Sequence, residues 1–213
     1  SIMENKKAIL LLSGGIDSTT LLAKLTKEGY EIVALSFNYG QKHEIELNYA
    51  KHNAENYGVK EHHVIELNKM LFNSSALVNN EINISTYEGK NLPNGQVNAY
   101  VPFRNLLFLS MALSLAESKG INEVYIAINN DDNNNFWDCK YDFIDQINRI
   151  VNLNTLIRVK TPFIHISKSE VIQLSKQLNV DLENTITCYN PNNKVECGHC
   201  LSCITKLKAL ENV

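Results

Sequence analysis

Lys7 to Leu12 is an apolar run that breaks on Ser13-Gly14-Gly15, and Ser18 to Lys27 after it carries Leu21, Leu22 and Leu25 at helical spacing with Gly29 as a stop. A continuous apolar run cannot keep one face in water, so it reads as a strand covered on both sides, and the order is strand, loop, helix. The pattern recurs. Ile32 to Phe37 is a second apolar run, followed by helical composition from Gln41 to Tyr57 that ends at Gly58. His63 to Leu67, Glu123 to Ile128 and Thr155 to Val159 supply three further strands. Such strands alternating with helices predict a Rossmann-like α/β fold, a parallel sheet with helices on both faces.

The remaining helices are legible from their periodicity. Asn105 to Ser118 is apolar nearly all round and predicts a buried helix, while Tyr141 to Ile150 is amphipathic through Phe143, Ile144, Ile147 and Ile150. Ser167 and Glu170 form a capping box ahead of Val171, Ile172, Leu174 and Leu178. Two stretches break the alternation. Asn68 to Val101 carries turn signals at Asn79-Asn80, Gly89, Pro93 and Gly95, and a loop this long inside a compact domain is usually functional. Asn129 to Asn135 reads as a polar loop, and from Thr185 the regular alternation stops. With Ser1 and Ile2 left out, the chain divides into an α/β domain over residues 3–184 and a small element over 185–213 packed on it.

Composition narrows the function. The 213 residues, 44% hydrophobic and 20% charged, suit one large domain with an appendage and exclude a disordered or disulfide-rich class. The net charge of -3 lacks the basic excess of a protein that works by neutralising nucleic-acid phosphates, so a small-molecule substrate is favoured. No run approaches the roughly 18 apolar residues of a membrane helix, and the N-terminus lacks a signal-peptide layout. A cytoplasmic location without a membrane partner is expected. Five cysteines in such a setting are metal ligands or thiols before they are disulfides.

Ser13-Gly14-Gly15-Ile16-Asp17-Ser18 stands where open parallel sheets bind ligands, at the C-terminal end of a strand and the start of a helix. Two glycines let the backbone approach an anion, the helix N-terminus presents N–H groups and a positive dipole, and Ser13 and Ser18 add hydroxyls. Together they form a phosphate or pyrophosphate cradle; the alternative is a plain serine-glycine turn. The lysine of a Gly-Lys-Ser/Thr loop is missing, which removes a motor or GTPase reading. In the tail, Cys197, Cys200 and Cys203 have Cys-x2-Cys-x2-Cys spacing, with Cys188 nine positions earlier. Four soft ligands suit one tetrahedral structural zinc, with an iron–sulfur cluster as the competing metal. His199 then reads as a loop residue, and Cys139, standing alone, as a small core residue.

The hexapeptide from Ser13 to Ser18 resembles the SGGxDS signature of the PP-loop ATP pyrophosphatases, which split ATP into AMP and pyrophosphate while adenylating an oxygen of the substrate. The resemblance implies ATP as cosubstrate and a place for Asp17 at the magnesium or phosphate site. A carboxylate facing pyrophosphate is repelled unless a divalent cation bridges the two, so Mg2+ is expected. Loop and cysteine tail together resemble the 7-cyano-7-deazaguanine synthase family. Phe37-Asn38-Tyr39-Gly40-Gln41-Lys42-His43, Val101-Pro102-Phe103-Arg104-Asn105, Asp138-Cys139 and Thr187-Cys188-Tyr189 are similar to its motifs. That family activates the carboxylate of 7-carboxy-7-deazaguanine with ATP, installs ammonia to give the amide, and activates the amide again to give the nitrile, releasing AMP and pyrophosphate or ADP and phosphate.

Carried over residue by residue, the resemblance implies catalytic roles for Asp17, Ser18, Arg104 and Lys160. It implies nucleotide contacts from Ser13, Gly14, Gly15, Ile16, Asp17, Ser18, Phe37, Gln41 and His43, substrate contacts from Phe103, Phe136, Asp138 and Lys140, and a homodimer. Zinc would be held by Cys188, Cys197, Cys200 and Cys203. The residues themselves are compatible with this. Arg104, one of three arginines, starts a helix where a guanidinium can face phosphate or carboxylate, and Lys160 ends a strand on the ligand-binding edge. Lys42 and Lys168 read as surface lysines, His43 equally as a solvated helix residue, and Tyr39 and Phe136 as core aromatics or as stacking partners for a purine-like ring. The chain also departs from the family pattern. Phe103 stands where glycine is usual, and Asn135-Phe136-Trp137-Asp138-Cys139-Lys140 replaces a Gly-Tyr-Pro-Asp-Cys-Arg run. Both changes fall at the implied substrate pocket, which admits a second outcome: the activated carboxylate is passed to another amine, such as one on a protein.

Overall fold

The computed structural model describes residues 6–41, 45–82, 100–185 and 201–211. Its elements are β1 (Lys7–Leu11), α1 (Ile16–Lys27), β2 (Glu31–Asn38), α2 (Ile45–Asn56), β3 (Glu61–Glu66), α3 (Arg104–Lys119), β4 (Glu123–Tyr125), α4 (Asn130–Asn135), α5 (Tyr141–Val151), β5 (Arg158–Lys160), α6 (Lys168–Gln177) and α7 (Leu201–Leu210). The five strands form one sheet in the order β3-β2-β1-β4-β5, and every pairing is parallel. This is the expected α/β fold. The chain winds outward from β1 to β3, then crosses back to place β4 on the other side of β1. The order therefore reverses between β1 and β4, and the crevice outside the C-terminal ends of those strands is where such sheets take ligands.

The sheet separates two apolar layers, as the alternation of side chains along a strand requires. Ile9, Leu11, Val33 and Leu35 face α3 and α5 through Leu109, Ala112, Phe143 and Ile147. Ala8, Leu10, Ile32 and Ala34 face α1, α2 and α6 through Leu21, Leu22, Ala50 and Val171.

Two expectations are corrected. Asn129 to Asn135 is not a loop: Asn130–Asn135 is helical because the Asn129 side chain accepts from the Asp132 N–H while Asp132 accepts from the Asn129 N–H. The helix from Arg104 to Lys119 is only partly buried; Leu109, Ala112 and Ala116 are covered, and Leu106, Leu107, Met111, Leu113 and Leu115 are half-covered. The helix beyond Thr185 is α7, whose Ala209 packs with Ile172 of α6 and Ile16 of α1. No helix among the described residues is long and apolar enough to cross a membrane.

Candidate nucleotide site at the sheet reversal

The loop after β1 is tied to itself by its two serines. Ser13 N donates to Ser18 Oγ at 3.0 Å, the two hydroxyls lie 2.9 Å apart, and Gly15 N donates to Ser13 Oγ at 3.1 Å. Gly15 caps α1 without a side chain, so the first-turn N–H groups are left for a ligand. Gly14 is needed for a different reason from the one its sequence suggests. A Cβ there would lie 2.2 Å from the carbonyl oxygen of Glu46 in the first turn of α2. Ile16, expected among the nucleotide contacts, buries its side chain against Ile172 and Ala209, which leaves only its backbone to the loop.

Asp17 is met by a lysine that the sequence presents as a surface residue. Lys168 Nζ lies 2.8 Å from Asp17 Oδ2, and Lys168 is only 5% exposed. The other carboxylate oxygen, Oδ1, is buried without a hydrogen-bond partner among the described residues. Two more carboxylates converge here from α4. Asp131 Oδ2 accepts from the Lys168 N–H at 2.8 Å, which ties α4 to α6. Burial and the neighbouring Asp17 charge push Asp132 up from 3.8 to about 7, with Lys168 opposing the rise. The signal in the sequence was the capping Ser167, which sets Lys168 as the first residue of a helix starting at the ligand-binding edge.

A second polar group lies around the N-terminus of α3. Arg104 donates to Tyr39 Oη at 3.0 Å, and burial pushes the Tyr39 phenol up to about 12 against the pull of Arg104. Gln41 donates to Glu46 at 2.7 Å and to the Phe37 carbonyl at 3.3 Å. Burial raises the Glu46 carboxyl, with the Gln41 bond and Arg104 opposing. Asp138 is buried and accepts from the Asn105 N–H at 3.4 Å; burial raises its carboxyl while Arg104 lowers it. Arg104 therefore stands among Tyr39, Glu46 and Asp138.

Other expected residues have contacts of their own. Phe37 is a core side chain stacked on Phe108 at 3.9 Å, and Gln41 spends its amide on the bend that carries Tyr39. Lys160 is not brought to the loop: it pairs with Glu123, the first residue of β4, and lies beside the Tyr125 ring. Phe136 is half-buried, Lys140 is exposed at the start of α5, and Phe103 is exposed at the start of α3. His43, Cys188, Cys197 and Cys200 lie outside the described residues, and Cys203 is buried on α7. Among the described residues no group of three or more His, Cys, Asp or Glu side chains is arranged around a metal position.

This parallel α/β sheet is a fold seen in other proteins. Two solved structures share it: NMN synthetase from Francisella tularensis (TM-score 0.54, 18% identity, 92% of this chain and 70% of that one) and a 4-thiouridine synthetase in complex with RNA and bound ATP (TM-score 0.53, 18% identity, 97% and 50%). The family model described as queuosine biosynthesis protein QueC matches residues 7–213, and the chain belongs to that family. It is 40% identical over 212 residues to 7-cyano-7-deazaguanine synthase of Rickettsia felis, covering 97% of this chain and 95% of that protein. The enzyme of the same name from Leptospira interrogans is 39% identical over 216 residues, covering 97% and 87%.

Proposed function

We propose that this chain is an ATP-dependent carbon–nitrogen ligase that converts 7-carboxy-7-deazaguanine and ammonia, through the amide, to 7-cyano-7-deazaguanine. The observation that carries the reading is the Asp17–Lys168 pair buried beside the loop at the sheet reversal, in a chain whose relatives over nearly its whole length are named for this product. In the first half-reaction a carboxylate oxygen of the substrate attacks the α-phosphorus of ATP, the bond to the β-phosphate breaks, and pyrophosphate leaves. The N–H groups of the first turn of α1 bind the departing phosphates, and Lys168 is placed to move from Asp17 to the negative charge that develops there. Ammonia then attacks the acyl carbon and releases AMP. The amide oxygen repeats the attack on a second ATP, and loss of AMP with the two amide protons leaves the nitrile.

The donor set suits magnesium bound with ATP. Asp17, with its unpartnered Oδ1, and Asp132 are the residues that would hold it. Bound there, the cation neutralises pyrophosphate charge. Arg104 and Asp138 sit on the acceptor side and orient the deazaguanine. A structural zinc on Cys188, Cys197, Cys200 and Cys203 is supported by their spacing, and a homodimer by the half-covered apolar side chains of α3. Mass spectrometry after incubation with ATP, magnesium, ammonium and the acid tests the reading. The nitrile mass is expected; an acid-derived conjugate with another amine as sole product would replace ammonia as the nucleophile, and no product would overturn the ligase assignment.

A further inference from the structure

Phe103 adopts φ 52 and ψ 23, in the left-handed region that bulky side chains avoid. Such strain persists where the surroundings over-determine it, and the nearby hydrogen bonds do so here. Phe103 N donates to Tyr100 Oη at 3.2 Å, and Leu107 N donates to the Phe103 carbonyl at 3.0 Å. Yet the ring gains little burial from this, being part of a residue that is 57% exposed. What it gains is a partner. Phe103 meets Trp137 edge to face at 5.5 Å, and Trp137 Nε1 donates to the same Tyr100 hydroxyl at 2.8 Å. Trp137 in turn packs edge to face on Phe143 of the core at 5.4 Å. Two exposed rings are thus mounted on the core, with the Trp137 indole and the Phe103 backbone N–H both held by one hydroxyl.

Their chain neighbours face the other way. Arg104, next to Phe103, reaches Tyr39, and Asp138, next to Trp137, is buried against Asn105. Each of the two segments therefore turns an aromatic outward and a charged group inward at the same end of the sheet. A ligand that uses both has a flat π-face for the rings and polar atoms on its edge for the charges. We infer that Phe103 and Trp137, held by Tyr100, form the outer wall of the acceptor site and take the planar ring of the acid, so that the pair selects flat heteroaromatic carboxylates over aliphatic ones. The inference rests on the ligase reading and adds the residues that set its specificity.

Trp137 is the chain's single tryptophan, so its emission reports the wall without a label. Titration of the full chain with 7-carboxy-7-deazaguanine in the absence of ATP is expected to change that emission saturably, while succinate at equal concentration leaves it unchanged. Phe103→Gly removes the ring and suits the left-handed backbone, so its melting temperature should match or exceed the parent's. Its KM for the acid should rise about fivefold or more, as the loss of one aromatic contact implies, with kcat and the KM for ATP within twofold. Phe103→Leu, which keeps an apolar side chain, should lose the same selectivity. Nitrile formation without any change in Trp137 emission, or an acid KM within twofold of the parent in Phe103→Gly, overturns the wall and leaves the ligase reading standing. An emission change with the acid but no turnover keeps the wall and removes the ligase reading.

Discussion

Lys168 Nζ lies 2.8 Å from Asp17 Oδ2, and this pair joins the first turn of α6 to the first turn of α1 across the point where the strand order reverses. Two helix N-termini, each favourable to anions, are thereby held at one crevice with a cation and a carboxylate between them. The pair keeps the lysine beside the Ser-Gly-Gly loop and satisfies half of the Asp17 carboxylate.

Breaking a buried pair from one side leaves a charge uncompensated, at a cost of about 3–5 kcal/mol. Lys168→Met and Asp17→Asn are each expected to lower unfolding stability by that order and to cut acid-dependent AMP release by about a hundredfold or more. The double variant should recover most of the stability and none of the activity. Urea unfolding and an AMP assay separate the two effects.

Gly14→Ala places a methyl against the backbone of Glu46 rather than against a flexible side chain. The start of α2 must then move away from the loop. A loss of ATP affinity of about tenfold is expected, equivalent to 1.4 kcal/mol, together with a lower melting temperature. Calorimetric titration with ATP and a thermal scan check both.

The raised Asp132 carboxyl makes stability depend on pH with a definite sign. Between about pH 4 and about pH 7 the folded state holds a proton that the unfolded state has released, so stability falls as pH rises through this window. Asp132→Asn should flatten that slope. Magnesium and ATP favour the charged carboxylate, so the stabilisation they confer should grow over the same window. Denaturant midpoints taken at several pH values, with and without the ligands, give the slopes.

Much of the fold was legible because β1 and β2 are continuous apolar runs and α1, α5 and α6 carry apolar residues at helical spacing. Ser13 to Ser18 stood out because two glycines follow a strand and precede a helix. The features that escaped are made by contacts rather than by periodicity. The run from Asn129 to Asn135 has no apolar spacing, and its helix exists because Asn129 and Asp132 cap each other's backbone. Lys168 and Lys160 are alike as letters in a sequence. The first is buried because Ser167 starts a helix beside the loop, and the second stays at the sheet because Glu123 of the neighbouring strand holds it. The cysteine spacing gave no sign of α7, which packs on α6 through Ala209 and Ile172.

The packing of α7, which carries Cys203, reaches the first turn of α1. Ala209 touches the cluster that holds Ile16, and its carbonyl accepts from Ser169 Oγ at 2.9 Å. Protein purified without chelator is expected to carry one zinc per chain, and Cys203→Ser to carry none. Ala209→Asp, which sets a carboxylate against Ile16 and Ile172, should raise the KM for ATP more than that for the acid. Elemental analysis and steady-state kinetics measure these outcomes.

In the proposed reaction one loop activates the same substrate twice, first at the carboxylate and then at the amide. The ratio of AMP released to nitrile formed tests it most directly, measured in one reaction started from the acid and another started from the amide. Two AMP per nitrile are expected from the acid and one from the amide, both lost in Asp17→Asn. One AMP per nitrile from the acid, or an amide that is not converted, would contradict it.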